Sequence, residues 1–256
     1  MESEESVAAG VALRERVEQG SRRKNRDGRV ADVEARRRTG RAGAAMKRLY
    51  GMFADLGGRR AVVIGGGELA ERKVRALAEC GAAVVVISPE ITAGLAELGR
   101  AGAIEIERRR YRRGDLAEAW LVVCACGERE AAEAVAAEAR ERRVFCNVAD
   151  EPGRCSFHVP AVVAREGLQV AISTGGASPA LARRIKEKLE GEFGAWYGRL
   201  VRGLEELREH VKAKHPRDEE RRAAVLRGFV DSEGLELLAA GREEEFERLL
   251  EEWKKK

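Results

Sequence analysis

The sequence predicts an α/β protein: a Rossmann-like, doubly wound parallel sheet, then a small α+β segment, then a helical C-terminal domain. Three observations predict it. From Arg59 onward short β-branched runs alternate with Ala-rich helical stretches; a glycine loop follows the first of those runs; and after Pro152 the alternation gives way to two strands and then to helix alone. Composition agrees, because 44% apolar residues with only 5% aromatics suit a helix-rich α/β core in a chain of 256 residues.

Strands are expected at Ala61 to Ile64, Ala83 to Ile87, Ile104 to Glu107, Leu121 to Ala125 and Val144 to Val148, with helices near 68–80, 91–99 and 128–142. Each strand is a short apolar run of the kind a parallel sheet buries on both faces. Phe157 to Val163 and Leu168 to Ser173 read as two further strands around the polar turn Arg165-Glu166-Gly167. Thr174-Gly175-Gly176 then leads to a helix from about Ser178, where Ser178-Pro179 has the form of an N-cap followed by proline at N1. Beyond Leu181 the period and charge pairing are helical, with breaks at His215-Pro216 and near Gly234.

Charge and cysteine exclude several classes. Residues 1–45 hold eleven Lys or Arg against eight Asp or Glu, so they carry most of the net charge of +4 and leave the remainder nearly neutral. No nucleic-acid partner is expected from so weak a footprint. That same segment has no aromatic, no Pro and no sustained apolar period, and reads as a disordered basic tail. Met46, just beyond it, is a candidate translation start. Apolar runs such as Trp120 to Ala125 are far below the roughly 20 residues that span a bilayer, and no secretory signal is evident, so no membrane partner is expected. Five cysteines without paired CxxC spacing argue against a disulfide framework and a structural zinc site, and fit a reducing cytosol.

Gly65-Gly66-Gly67-Glu68-Leu69-Ala70 follows a strand and opens a helix, which is the context that gives G-x-G-x-x-A its meaning. Gly65 permits the tight turn, Gly67 lets a pyrophosphate approach the backbone, and Ala70 lets the helix pack close to the sheet. The helix N-terminus offers the anion free N–H groups and the positive end of its dipole. At the end of the second strand, Ser88-Pro89-Glu90 supplies Glu90 or the neutral Ser88 for ribose hydroxyls; no Arg stands in that turn to meet a 2′-phosphate, which favours NAD over NADP. Asp150 follows the fifth strand at its carboxyl end, where open α/β sheets bind ligands, and is either a proton acceptor there or simply the start of the turn Asp150-Glu151-Pro152-Gly153.

Taken with Cys146-Asn147-Val148-Ala149-Asp150 and with Ser173 to Ala182 (STGGASPALA), the loop Gly65 to Lys73 closely resembles the precorrin-2 dehydrogenase family, including the dehydrogenase part of siroheme synthases. The resemblance runs from about Tyr50 to the C-terminus. It implies a homodimer with an NAD domain, a dimerisation segment and a helical domain, whose cleft takes precorrin-2 and oxidises it to sirohydrochlorin; some members also insert ferrous iron there as ferrochelatases. Residue by residue, it implies Asp150 as the catalytic carboxylate, NAD contacts at Glu68, Leu69, Glu90 and Ile91, and a further contact after the fourth strand. Relatives often have Thr followed by Asp or Asn at that last place; here it is Cys126-Gly127-Glu128, which leaves a backbone contact at Cys126. Asn147, Thr174, Gly175, Gly176 and Ser178 are the candidates for the tetrapyrrole, with Ser178 equally explained as a helix cap. Arg183, Arg184 and Lys186 suit either substrate carboxylates or a solvated face.

The expected division is therefore a tail over 1–45, an NAD-binding domain over 46–155, a dimerisation segment over 156–190 and a helical domain over 191–256. His158 and Cys155 lie near the boundary, but a lone His without a second ligand at fixed spacing is more often structural, and a buried thiol is the ordinary reading of Cys155. No resident metal is expected. A non-enzymatic NAD-sensing domain is the remaining alternative; it would need the glycine loop but neither Asp150 nor the Thr174 to Ser178 segment.

Overall fold

The apolar runs pair as a parallel sheet in the computed structural model, which describes residues 48–256. The expected tail over 1–45 and Met46 lie outside the described residues. Strands β1 (Arg60–Ile64), β2 (Ala83–Ile87), β3 (Glu105–Glu107), β4 (Leu121–Cys124) and β5 (Phe145–Val148) run in the order β3-β2-β1-β4-β5, every pair parallel. Chain direction along the sheet reverses between β1 and β4, and that switch opens a crevice at the carboxyl ends of the strands.

Alternate side chains of each strand enter different cores, as the pleat requires. Val63, Val84, Val86 and Val123 pack under α1 (Glu68–Glu79) and α2 (Ala93–Arg100), against Ala70, Val74 and Leu95. Val62, Ile64, Val85, Ile87 and Val122 face α3 (Arg129–Arg142), meeting Val135 and Ala139. The crossover from β3 to β4 forms no helix; Leu116 and Ala119 cover the sheet instead. It is pinned by Glu138 of α3, only 1% exposed, which accepts from the Tyr111 hydroxyl, the Gly114 N–H and Arg142 Nε. Burial pushes the Glu138 carboxyl up, yet these three donors outweigh it and hold it below the ordinary carboxylate range.

The second module begins with an antiparallel hairpin, β6 (Ala161–Arg165) and β7 (Leu168–Ile172), with Val163 opposite Val170. The first of these strands starts four residues later than the sequence suggests and absorbs Arg165 from the expected turn. The reason is that the preceding segment belongs to the nucleotide-binding module. Ser156 N–H and Phe157 N–H both donate to the Cys146 carbonyl, Ser156 Oγ accepts from Cys146 N–H, and Pro160 has no N–H to give a ladder. Helix α4 (Pro179–Glu192) packs on the hairpin. Helices α5 (Trp196–Lys214), α6 (Glu219–Val230), α7 (Gly234–Ala239) and α8 (Glu243–Lys254) enclose a separate core of Leu207, Val211, Phe229, Leu237, Phe246 and Leu250. As expected, α5 stops at His215-Pro216, and Gly234 opens a new helix. No helix among the described residues is long and apolar enough to cross a membrane.

Candidate active site

The glycine loop divides its work between protein and ligand. Gly65 has φ 114°, and a Cβ there would lie 2.6 Å from the Ala125 carbonyl oxygen. At Gly66 a Cβ would lie 2.0 Å from the Glu90 carbonyl oxygen and 2.9 Å from Ser88 Oγ. These two glycines let three loops crowd together at the switch point. Gly67 differs: nothing of the protein comes within 4 Å of a Cβ built on it. It is the N-cap of α1 and supplies no side-chain cap, so the first-turn N–H groups stand open beside free space. Ala70 is fully buried, seating the helix tightly on the sheet. These residues fit a dinucleotide pyrophosphate, which needs unshielded N–H donors and an approach without a Cβ.

Around the second strand end the candidates are partly occupied. Ser88 is buried and its hydroxyl donates to the Glu90 carbonyl at 2.6 Å, so it braces the turn. Glu90 is exposed, and Ile91 packs on the core under α1 and α2. Glu68, in the first turn of α1, is exposed as well.

A crevice of about 580 Å³ opens beside the loop, lined by Leu69, by Cys124 to Arg129 after β4, and by Val148 to Glu151 after β5. Cys126 lines this crevice, and its side chain has a sulfur neighbour. Its Sγ lies 3.5 Å from Cys124 Sγ. The Cys124 thiol stabilises the Cys126 thiolate against its burial and holds its pKa below the ordinary cysteine value, while Cys124 itself is pushed up.

A second cavity, of about 430 Å³, lies between the sheet and the second module. Asn147, Asp150, His158, Thr174 and Gly176 line it; Gly175 and Ser178 do not. Asp150 is common to both cavities. It takes φ 60°, a left-handed conformation that Asp tolerates better than most residues, at the carboxyl end of β5.

Several expected substrate contacts are engaged within the protein. Asn147 Nδ2 donates to the Phe157 carbonyl at 3.1 Å, tying the outgoing segment to β5. Thr174 Oγ1 accepts from Ser178 N–H at 3.0 Å and lies 3.1 Å from the Ser178 carbonyl. Ser178 Oγ accepts from Leu181 N–H, so it is the cap of α4, the second of its two expected roles. Cys155 Sγ sits among the Val148 N–H and the Val148 and Glu151 carbonyls, a structural clamp. Of α4, Arg183 and Lys186 pair with Glu187 and Glu190, and neither these two nor Arg184 lines the cleft. A cation that the sequence reading omits does line it: Lys73, with its neighbour Leu69 on the same face of α1. The i to i+4 spacing from Leu69 is the signal that could have found it.

Three family models match the chain in order. One described as putative NAD(P)-binding covers residues 52–161, the sirohaem biosynthesis protein central model covers 165–192, and the sirohaem synthase dimerisation region covers 196–252. The chain is 41% identical over 171 residues to siroheme synthase 3 of Aeromonas hydrophila, a match covering 67% of this chain and 36% of that protein. It is 40% identical over 203 residues to a siroheme synthase of Pseudomonas entomophila, covering 78% and 43%. The chain thus matches less than half the length of these curated relatives. A solved structure named SirC, precorrin-2 dehydrogenase, superposes with a TM-score of 0.67 at 28% identity, covering 80% of this chain and 100% of that one.

Proposed function

Because the chain belongs to the precorrin-2 dehydrogenase family, which includes the dehydrogenase part of siroheme synthases, we propose that it oxidises precorrin-2 to sirohydrochlorin with NAD. One observation carries this reading: Asp150 stands on the wall shared by the crevice beside the glycine loop and the cleft toward the second module. A carboxylate so placed would reach a macrocycle in the cleft, and the residues of the neighbouring crevice would hold the nicotinamide. NAD supplies the hydride acceptor. Asp150 takes a proton that leaves the tetrapyrrole as the hydride departs, so that two electrons and two hydrogens leave the substrate, one as hydride and one as proton. Gly67 and the open first turn of α1 hold the pyrophosphate, and Glu90, with the Ser88-braced turn, meets the adenosine ribose.

The free cysteines fit a reducing cytosol, and the segment matched by the dimerisation model fits a homodimer formed through the second module. A purely NAD-sensing domain would have no use for Asp150 or for the cleft beside it. Incubating the protein with sirohydrochlorin and ferrous iron without NAD tests iron insertion separately, through the siroheme absorption band.

The main test is NADH formation from precorrin-2. Asp150→Ala is expected to lose turnover by about 10²-fold or more, the usual contribution of a positioned base, with NAD affinity kept. Parent-like turnover in that variant refutes the assigned role.

A further inference from the structure

We infer that Lys73 is a carboxylate-binding residue of the cleft, reading one acidic side arm of the tetrapyrrole. The inference rests on the proposed substrate, a polycarboxylate macrocycle, and extends it to a site on α1.

The geometry comes from the helix. Leu69 and Lys73 are one turn apart, roughly 6 Å along the axis at 1.5 Å per residue, and both line the cleft between the sheet and the second module. Lys73 is the sole Lys or Arg in that lining among the described residues, which otherwise holds apolar groups such as Val123, Ala161, Ile172 and Ala182, the polar Asn147, His158, Ser173 and Thr174, and the acids Asp150 and Glu151.

Several partly buried cations of this protein are held by carboxylates. Arg109 is held by Asp115 and Glu107, Arg154 by Glu151 and Glu133, and Lys254 by Glu251 and Glu206. Lys73 has no such anion. What acts on its ammonium is burial first and then the like charge of Arg72, and both hold its pKa below the ordinary lysine value. A cation kept in a cleft against both influences is stabilised by an arriving anion, and a carboxylate meeting it makes a charge-assisted hydrogen bond away from bulk water. The apolar neighbours suit the ring carbons, and Lys73 suits an acetate or propionate arm. The basic residues of α4 do not compete, being outside the lining and, for Arg183 and Lys186, already paired.

The experiment uses the full chain with Lys73→Met and Lys73→Arg. Steady-state NADH formation gives KM for precorrin-2, spectroscopic titration gives Kd for the stable product sirohydrochlorin, and a separate titration gives Kd for NAD. Lys73→Met is expected to raise KM and the sirohydrochlorin Kd by about tenfold or more, the loss of one hydrogen bond to a charged group. Its NAD Kd and unfolding temperature should match the parent, and Lys73→Arg should recover most of the affinity. Unchanged KM and Kd in Lys73→Met overturn the inference, as does a loss confined to NAD, which would place the ammonium on the cofactor. A Lys73→Arg variant as weak as Lys73→Met also overturns it, because shape rather than charge would then be what matters. If the parent itself neither binds sirohydrochlorin nor produces NADH, the functional reading fails instead, and the two failures are told apart by that control.

Discussion

Two helices in this protein begin after a glycine-rich turn, and they end up serving opposite purposes. Before α1, Gly67 leaves the first turn without a side-chain cap and with open space in front of it. Before α4, Ser178 caps Leu181 N–H while Thr174 Oγ1 takes the Ser178 N–H, so the turn consumes its own donors. In sequence the two stretches look alike: small residues, flexible φ, a helix following. What separates them is whether a hydroxyl stands at the N-cap. An uncapped start retains donors for a ligand, and a capped start uses them for folding.

Gly67 is the position where the two helix starts should differ most when altered. Gly67→Val should fold like the parent, because a Cβ there meets no protein atom within 4 Å and its φ is −80°. It should weaken NAD binding by about tenfold or more, equivalent to about 1.4 kcal/mol, as measured by titration calorimetry. Undiminished affinity would mean that the open space is not where the pyrophosphate lies. The converse holds for α4: Ser178→Ala should cost about 1 kcal/mol of stability in a denaturant melt, the usual value of a lost cap, and leave Kd for NAD and KM for precorrin-2 unaltered. A raised KM with normal stability would return Ser178 to the substrate site.

The smallest effect is on thiol chemistry beside α1. With its pKa held below the ordinary cysteine value by Cys124, Cys126 carries more thiolate near neutral pH than a free cysteine, so its alkylation by iodoacetamide should persist to lower pH than that of free cysteine. Saturating NAD should protect it if the cofactor fills the crevice that Cys126 lines. Peptide mass mapping reads both effects, and labelling indifferent to NAD would move the cofactor away from β4.

Much of the nucleotide-binding fold was legible because parallel strands buried on both faces leave unbroken apolar runs, as in Ala83–Ile87, and because G-x-G-x-x-A is constrained by close backbone contacts that few other residues permit. The hairpin was legible in kind but displaced, since the bonds from Ser156 and Phe157 to Cys146 are tertiary and leave no periodic trace. Thr174 and Ser178 show the limit for hydroxyls: the same residue types suit a cap and a ligand, and only the folded turn decides which N–H they meet. Lys73 was obscured for the opposite reason. A lysine on a charged helix reads as solvated until the second module is placed across from it. Asp150 was identifiable from its strand end and its family match, whereas its position on a wall common to two cavities was not.

The clasp formed by Ser156 and Phe157 on Cys146, with Asn147 fastening the Phe157 carbonyl, fixes where the two halves of the molecule are jointed. Everything up to Phe157 is riveted to the same strand that delivers Asp150. The wall that carries Thr174 and Gly176 thus belongs to the module beyond Pro160, whereas the wall that carries the carboxylate belongs to the sheet. The carboxylate and the glycine loop are therefore seated on one and the same sheet, independently of the bonds that hold the hairpin together.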